Sequence, residues 1–82
     1  MDSLITIGEA AERMGVTKPT AHNWVKRGLL SVVRIAGRQF TRADLLPRVI
    51  PLNQRRVLLE YPEGFDDPQV LEQAREQGYV RN

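Results

Sequence analysis

Apolar positions early in the chain recur every three to four residues. Ile7, Ala10, Ala11 and Met14 form one stripe, which predicts a helix over 7–14. Thr6 and Glu9 bracket its start as Thr-x-x-Glu, a capping box in which each side chain accepts from the other residue's backbone N–H. Gly15 supplies a left-handed closing residue. Ala21, Trp24 and Val25 form a second stripe and predict a helix over 18–27. Thr17 is its N-cap, Pro19 sits in the first turn where no intrahelical N–H is lost, and Gly28 stops it. At about 100° per residue, Pro19, Asn23 and Lys26 point away from the apolar stripe. Thr20 and Arg27 flank that polar face on one side and His22 on the other.

Beyond Leu30 the period changes to two. Val33 and Ile35 alternate with Val32 and Arg34, and Phe40 lies on the returning arm. Ala36-Gly37-Arg38 is a turn, so a β-hairpin is expected over 32–40, tipped by Arg34, Gly37, Arg38 and Gln39. Thr41 as a cap with Asp44 after it predicts a short third helix over 42–46, and Pro51 closes the region. Residues 55–61 suit a strand or a helical turn equally. Residues 62–67 read as a turn. Asp67 and Pro68 open a last helix over 68–77 with the stripe Val70, Leu71 and Ala74, stopped by Gly78. The expected fold class is mainly α with a small β-hairpin. The expected organisation is a domain at 1–50 and an extension at 51–82, whose helix either packs on its own core or contacts another copy.

Charge sharpens this picture. The net +2 of the 82 residues hides an asymmetry, with +4 on residues 1–50 and −2 on residues 51–82. Residues 13–42 hold seven bases and no acid. A basic stretch beside an acidic tail suits a polyanion, although a solvated surface would carry the same charges. With no cysteine, neither a disulfide framework nor a zinc site is expected, and His22 without a ligand cluster makes a poor metal site. No Ser/His/acid arrangement and no phosphate-binding glycine loop appears, so neither enzymatic activity nor a cofactor is expected. An early acid and the lack of a long apolar run argue against a signal peptide or a membrane span, and a cytoplasmic protein is expected.

Two short helices joined by Gly15-Val16-Thr17 form a helix-turn-helix signature, which a generic helical hairpin also fits. The order of pieces in "LITIGEAAERMGVTKPTAHNWVKRGLL" and "VVRIAGRQFTRADL" resembles the winged helix-turn-helix of the MerR-like and phage-excisionase families. The resemblance spans residues 4–46 and rests on Thr20, Trp24, Arg27-Gly28-Leu29, Gly37-Arg38 and the Thr-Arg-x-Asp-Leu segment. MerR-like regulators carry a long coiled-coil helix after this domain. Residues 51–82 are too short and too broken by proline for one, so the excisionase-like branch is the nearer match.

The resemblance implies that helix 18–27 reads the major groove of double-stranded DNA, with Lys18, Thr20, Asn23, Lys26 and Arg27 left for DNA once Trp24 faces the core. Asn23 suits a bidentate contact with adenine, and Lys26 or Arg27 a guanine or a phosphate. Thr17 and Lys18 sit where helix-start N–H groups meet a phosphate. Arg34, Arg38 and Gln39 at the hairpin tip would meet the backbone or a minor groove. For His22, packing or capping is the favoured role. One such unit covers only a few base pairs, so self-association on DNA is expected, as a dimer or a cooperative head-to-tail array. The output is a small transcription regulator or an excisionase-type recombination factor, with RNA polymerase or an integrase as further partner. The competing reading is a protein-interaction adaptor whose basic stripe meets an acidic partner.

Overall fold

A computed structural model describes residues 4–53 and 55–80. The elements run β1 (Leu4–Thr6), α1 (Ile7–Met14), α2 (Lys18–Lys26), β2 (Val32–Ile35), β3 (Arg38–Arg42), a 3-10 turn at Ala43–Leu45, β4 (Arg48–Pro51), β5 (Val57–Glu60) and α3 (Pro68–Glu76). The expectation of a mainly α protein with one hairpin is corrected by two small antiparallel sheets, with 38% helix and 26% strand among the described residues. One sheet has the order β1-β3-β2 and the other pairs β4 with β5.

The helix starts follow their caps. Glu9 N–H donates to Thr6 Oγ1 at 3.1 Å. Among the described residues only this half of the capping box is seen, and the Glu9 carboxylate accepts from Arg13 at 3.3 Å. Gly15 closes α1 in the left-handed region at φ 75. Thr17 Oγ1 accepts from Thr20 N–H at 3.3 Å and opens α2, which ends one residue earlier than expected, at Lys26. Gly28, at φ 76, lets the chain reverse. Its N–H reaches Val25 O at 3.1 Å, and Leu29 N–H reaches Trp24 O at 2.9 Å. That reversal delivers Leu29 and Leu30, both buried, into the core.

The hairpin extends further than expected, to Arg42, and gains β1 as a third strand through Ile5↔Thr41. Thr41 is therefore no helix cap. It is buried in β3, and its hydroxyl donates to Ser31 O at 2.6 Å. The expected helix over 42–46 shrinks to a single 3-10 turn without a side-chain cap. The cause is local: Pro47 forces Leu46 out of the helical region, to φ −66, ψ 136. Pro51 does not end the region but is the last residue of β4, paired with Val57. A strand end is a position that tolerates a missing N–H donor. Residues 55–61, open between strand and helix on sequence alone, contribute β5.

The core joins both halves of the chain. Trp24, Leu29 and Leu30 cluster with Leu59 of β5 and Ala74 of α3, while Ile7, Ala11 and Ala21 hold α1 against α2. Asp67 caps α3 by accepting from Val70 N–H at 3.4 Å, and its other oxygen accepts from Ser31 Oγ at 3.2 Å. The stripe of the last helix thus faces the chain's own core, with Val70 and Ala74 buried and Leu71 half-buried.

Tyr61 spans the two halves. Its hydroxyl donates to Leu29 O at 2.6 Å, and burial pushes the phenol above its usual value of 10.0 because the phenolate is disfavoured there. The unfolded chain ionises first, so the stabilisation is complete below about pH 10 and declines as the pH rises towards the folded value. Tyr61→Phe is expected to lower stability by about 1–3 kcal/mol near neutral pH by leaving a buried carbonyl without its donor. It should also lose part of the alkaline decline. Denaturant melts of both proteins from pH 7 to 11 check this, and parallel pH curves would refute it.

Candidate nucleic-acid interface

The position of α2 is set from beneath. Trp24 is 4% exposed and meets the Tyr79 ring edge-on, with centroids 6.3 Å apart. Two bonds from beyond α3 hold the helix's last turn. Arg27 Nη1 donates to Tyr79 Oη at 2.8 Å, and Gln77 Nε2 donates to Arg27 O at 2.9 Å. The second satisfies one of the carbonyls a helix leaves open at its C-terminus.

With its inner side anchored, α2 presents Pro19, Asn23 and Lys26 outward, all exposed. Lys18 and His22 lie along one edge. Lys18 leans on α1, where a methyl group on Gly8 would lie 3.2 Å from its Cε. His22 is exposed and shares an open groove of about 510 Å³ with Arg34, Arg38 and Gln39 of the wing. Among the described residues no carboxylate lines this groove. Packing or capping was the favoured role for His22, and the structure puts it on the open side, facing the wing.

The register explains how the wing reaches α2. Ile5, Thr41 and Val32 pair across the sheet on its inner face, and Arg34↔Gln39 is two positions further along that face. Arg34 and Gln39 thus continue the inner side past the helices, towards His22. Arg38 pairs with Ile35 on the other face, and the turn between them is Ala36-Gly37.

The opposite edge of α2 carries Thr17, Thr20 and Arg27. Thr17 Oγ1 donates to Thr20 Oγ1 at 2.9 Å, so both hydroxyls are already engaged in the helix cap. Arg27 is tied to Tyr79. Among the candidate residues, Thr17, Lys18, Asn23, Lys26, Arg27, Arg34 and Arg38 are exposed, and Thr20 and Gln39 are half-buried. Among the described residues Lys18, Lys26, Arg34 and Arg38 meet no carboxylate, whereas Arg13 pairs with Glu9 and Arg42 with Asp44 and Asp66. Sequence reasoning did not anticipate Gln77 or Tyr79, whose contacts lie 50 and 52 residues away along the chain.

Residues 4–46 match the helix-turn-helix domain family, and the chain belongs to that family. The membership bears out the resemblance drawn from the residues and supports a DNA-binding protein. The match ends before β4. No curated protein matches the chain, and neither does any solved structure. Among the described residues no group of His, Asp and Glu is placed to hold a metal ion, and no helix is long and apolar enough to cross a membrane.

The wing's turn has one costly residue. Ala36 at φ 51 precedes Gly37 at φ 78, and both positive angles mark a primed hairpin turn, where Asn-Gly is the preferred pair. An alanine there costs about 1–2 kcal/mol relative to an ordinary conformation. Ala36→Asn is expected to raise Tm by about 4–8 °C, equivalent to about 1 kcal/mol, with calorimetry as the measure. An unchanged or lower Tm would show that the wing gains nothing from a residue suited to the left-handed region.

Proposed function

We propose that this protein binds double-stranded DNA sequence-specifically, with α2 in the major groove and the β2–β3 wing on the adjacent backbone or minor groove. The carrying observation is the groove that His22 of α2 shares with Arg34, Arg38 and Gln39 of the wing, with no carboxylate among the described residues lining it, beside the exposed Asn23 and Lys26. A helix lying in a major groove about 12 Å wide brings such a wing against the flanking phosphates. Asn23 is the base reader, suited to the adjacent N6 and N7 of adenine. Lys26 takes a guanine edge or a phosphate, and Lys18, Arg34 and Arg38 take phosphates. Thr17, Thr20 and Arg27 position the helix, and within reach of DNA they contribute phosphate contacts.

The role is that of a small transcription regulator or an excisionase-type recombination factor acting in the cytoplasm of a bacterium or phage-infected cell. Copies assemble side by side on the duplex, and an integrase or RNA polymerase is the protein partner. Membership of a DNA-binding domain family supports the general part of this reading, and a duplex-bending assay separates the two roles.

Selection of bound duplexes from a random pool tests the function directly. Asn23→Ala is expected to relax preference at one position by about 1–3 kcal/mol while leaving total affinity less affected. An unchanged selected motif would remove Asn23 from base reading. Arg34→Ala combined with Arg38→Ala should weaken binding to every sequence alike. It should also lower the slope of log K against log salt by about 1.8, or 0.9 for each phosphate lost. An unaltered slope would take the wing off the DNA. Failure to shift any duplex, together with salt-sensitive binding of an acidic protein, would replace the whole reading with the adaptor.

A further inference from the structure

The β4–β5 hairpin lies outside the family match and carries the only adjacent pair of arginines in the chain, Arg55 and Arg56. Its turn is built from backbone and one side chain. Asn53 Oδ1 accepts from the N–H of both Arg55 and Arg56 at 3.0 Å. Leu52 and Asn53 donate back to Arg56 O at 2.9 and 3.3 Å. Among the described residues no hydrogen bond of this turn uses a guanidinium group. Both residues are exposed, and among the described residues neither meets a carboxylate.

The position of this turn matters more than its charge. Arg55 and Arg56 line an open groove of about 720 Å³ together with Thr17 and Thr20 of α2. That is the edge of α2 opposite His22 and the wing. The Arg56 guanidinium reaches back towards the end of the chain, where a methyl group on Gly78 would lie 3.9 Å from its Nη2. Among the described residues no carboxylate lines this groove either. The outward row of Pro19, Asn23 and Lys26 is thus flanked on each side by a basic hairpin turn.

A major groove is walled by two phosphate backbones, one on each side of an inserted helix. The β2–β3 wing serves one wall. We infer that the β4–β5 hairpin is a second wing, and that Arg55 and Arg56 bind phosphates of the opposite wall of the same duplex. This rests on the reading of α2 as the helix in the groove. It assigns DNA contacts to a part of the chain that the helix-turn-helix match does not reach. It also gives the two walls comparable shares of the salt-dependent affinity, two arginines each.

The test uses the full chain and a duplex recovered from the random pool. Phosphate ethylation interference on the wild type should show two patches, one on each side of the contacted major groove. Arg55→Ala with Arg56→Ala should erase one patch, leave the other and the selected motif intact, and lower the salt slope by about 1.8. Arg55→Lys with Arg56→Lys should keep both the slope and the patch, since a point charge suffices for a phosphate. An unchanged melting curve in the alanine variant shows that the fold is intact. An unchanged footprint and slope in a folded alanine variant would overturn the second wing while leaving the DNA-binding reading in place. A wild-type protein that binds no duplex would overturn both. A slope that falls without loss of an ethylation patch would also refute the assignment, because it would place the arginines in the general field rather than on a backbone.

Discussion

The fold depends on one buried indole. Trp24 is on the helix proposed to enter the DNA, yet its side chain belongs to a cluster made with Leu29, Leu30, Leu59 and Ala74. A chain of 82 residues buries a modest fraction of its surface, so one large aromatic carries a disproportionate share of the packing. Removing such a side chain costs about 3–5 kcal/mol in a typical core, a large part of the 5–15 kcal/mol a small domain has. The indole fixes the roll of α2 about its own axis. With Trp24 inward, helical geometry leaves Asn23 and Lys26 outward. Tyr79 touches both the indole and Arg27, so the same contact fixes the helix's pitch at its C-terminal end.

Charge is arranged around this anchor. Cations away from α2, at Arg13 and Arg42, have carboxylate partners. Such exposed pairs contribute little to stability. Arg34 and Arg38 line one open groove and Arg55 and Arg56 another, with no acid among the described residues lining either. Two of the six acidic residues of 51–82 lie near the base of the wing, where Asp66 meets Arg42 and Asp67 meets Ser31.

The two helices of the matched region were legible because their signals are local. Thr17 and Gly15 act within a turn of their own position, and the three-to-four-residue spacing of Ile7, Ala10, Ala11 and Met14 needs no distant partner. The exposed members of the site, Asn23 and Lys26, followed from that same geometry. The strands at 4–6 and 48–51 were not legible. They are three and four residues long, and their period-two pattern exists only beside the strand each pairs with. Thr41 looked like a cap because the same hydroxyl serves a helix start or a buried carbonyl equally well. The exposure of His22 was not legible, because its neighbourhood includes the wing as well as its own helix. Gln77 and Tyr79 could not be seen as supports of α2, since their contacts depend on how the last helix returns, and the bond of Tyr61 to Leu29 O depends on where β5 lies.

The matched segment stops at residue 46, but the hydrophobic unit does not. Leu59, Tyr61, Ala74 and Tyr79, all beyond that point, close over Trp24 or cap the residues that follow it. Residues 4–46 lifted into a foreign scaffold would carry an indole and two leucines with nothing to cover them. A transplant of this reading head would need a substitute lid as much as the head itself.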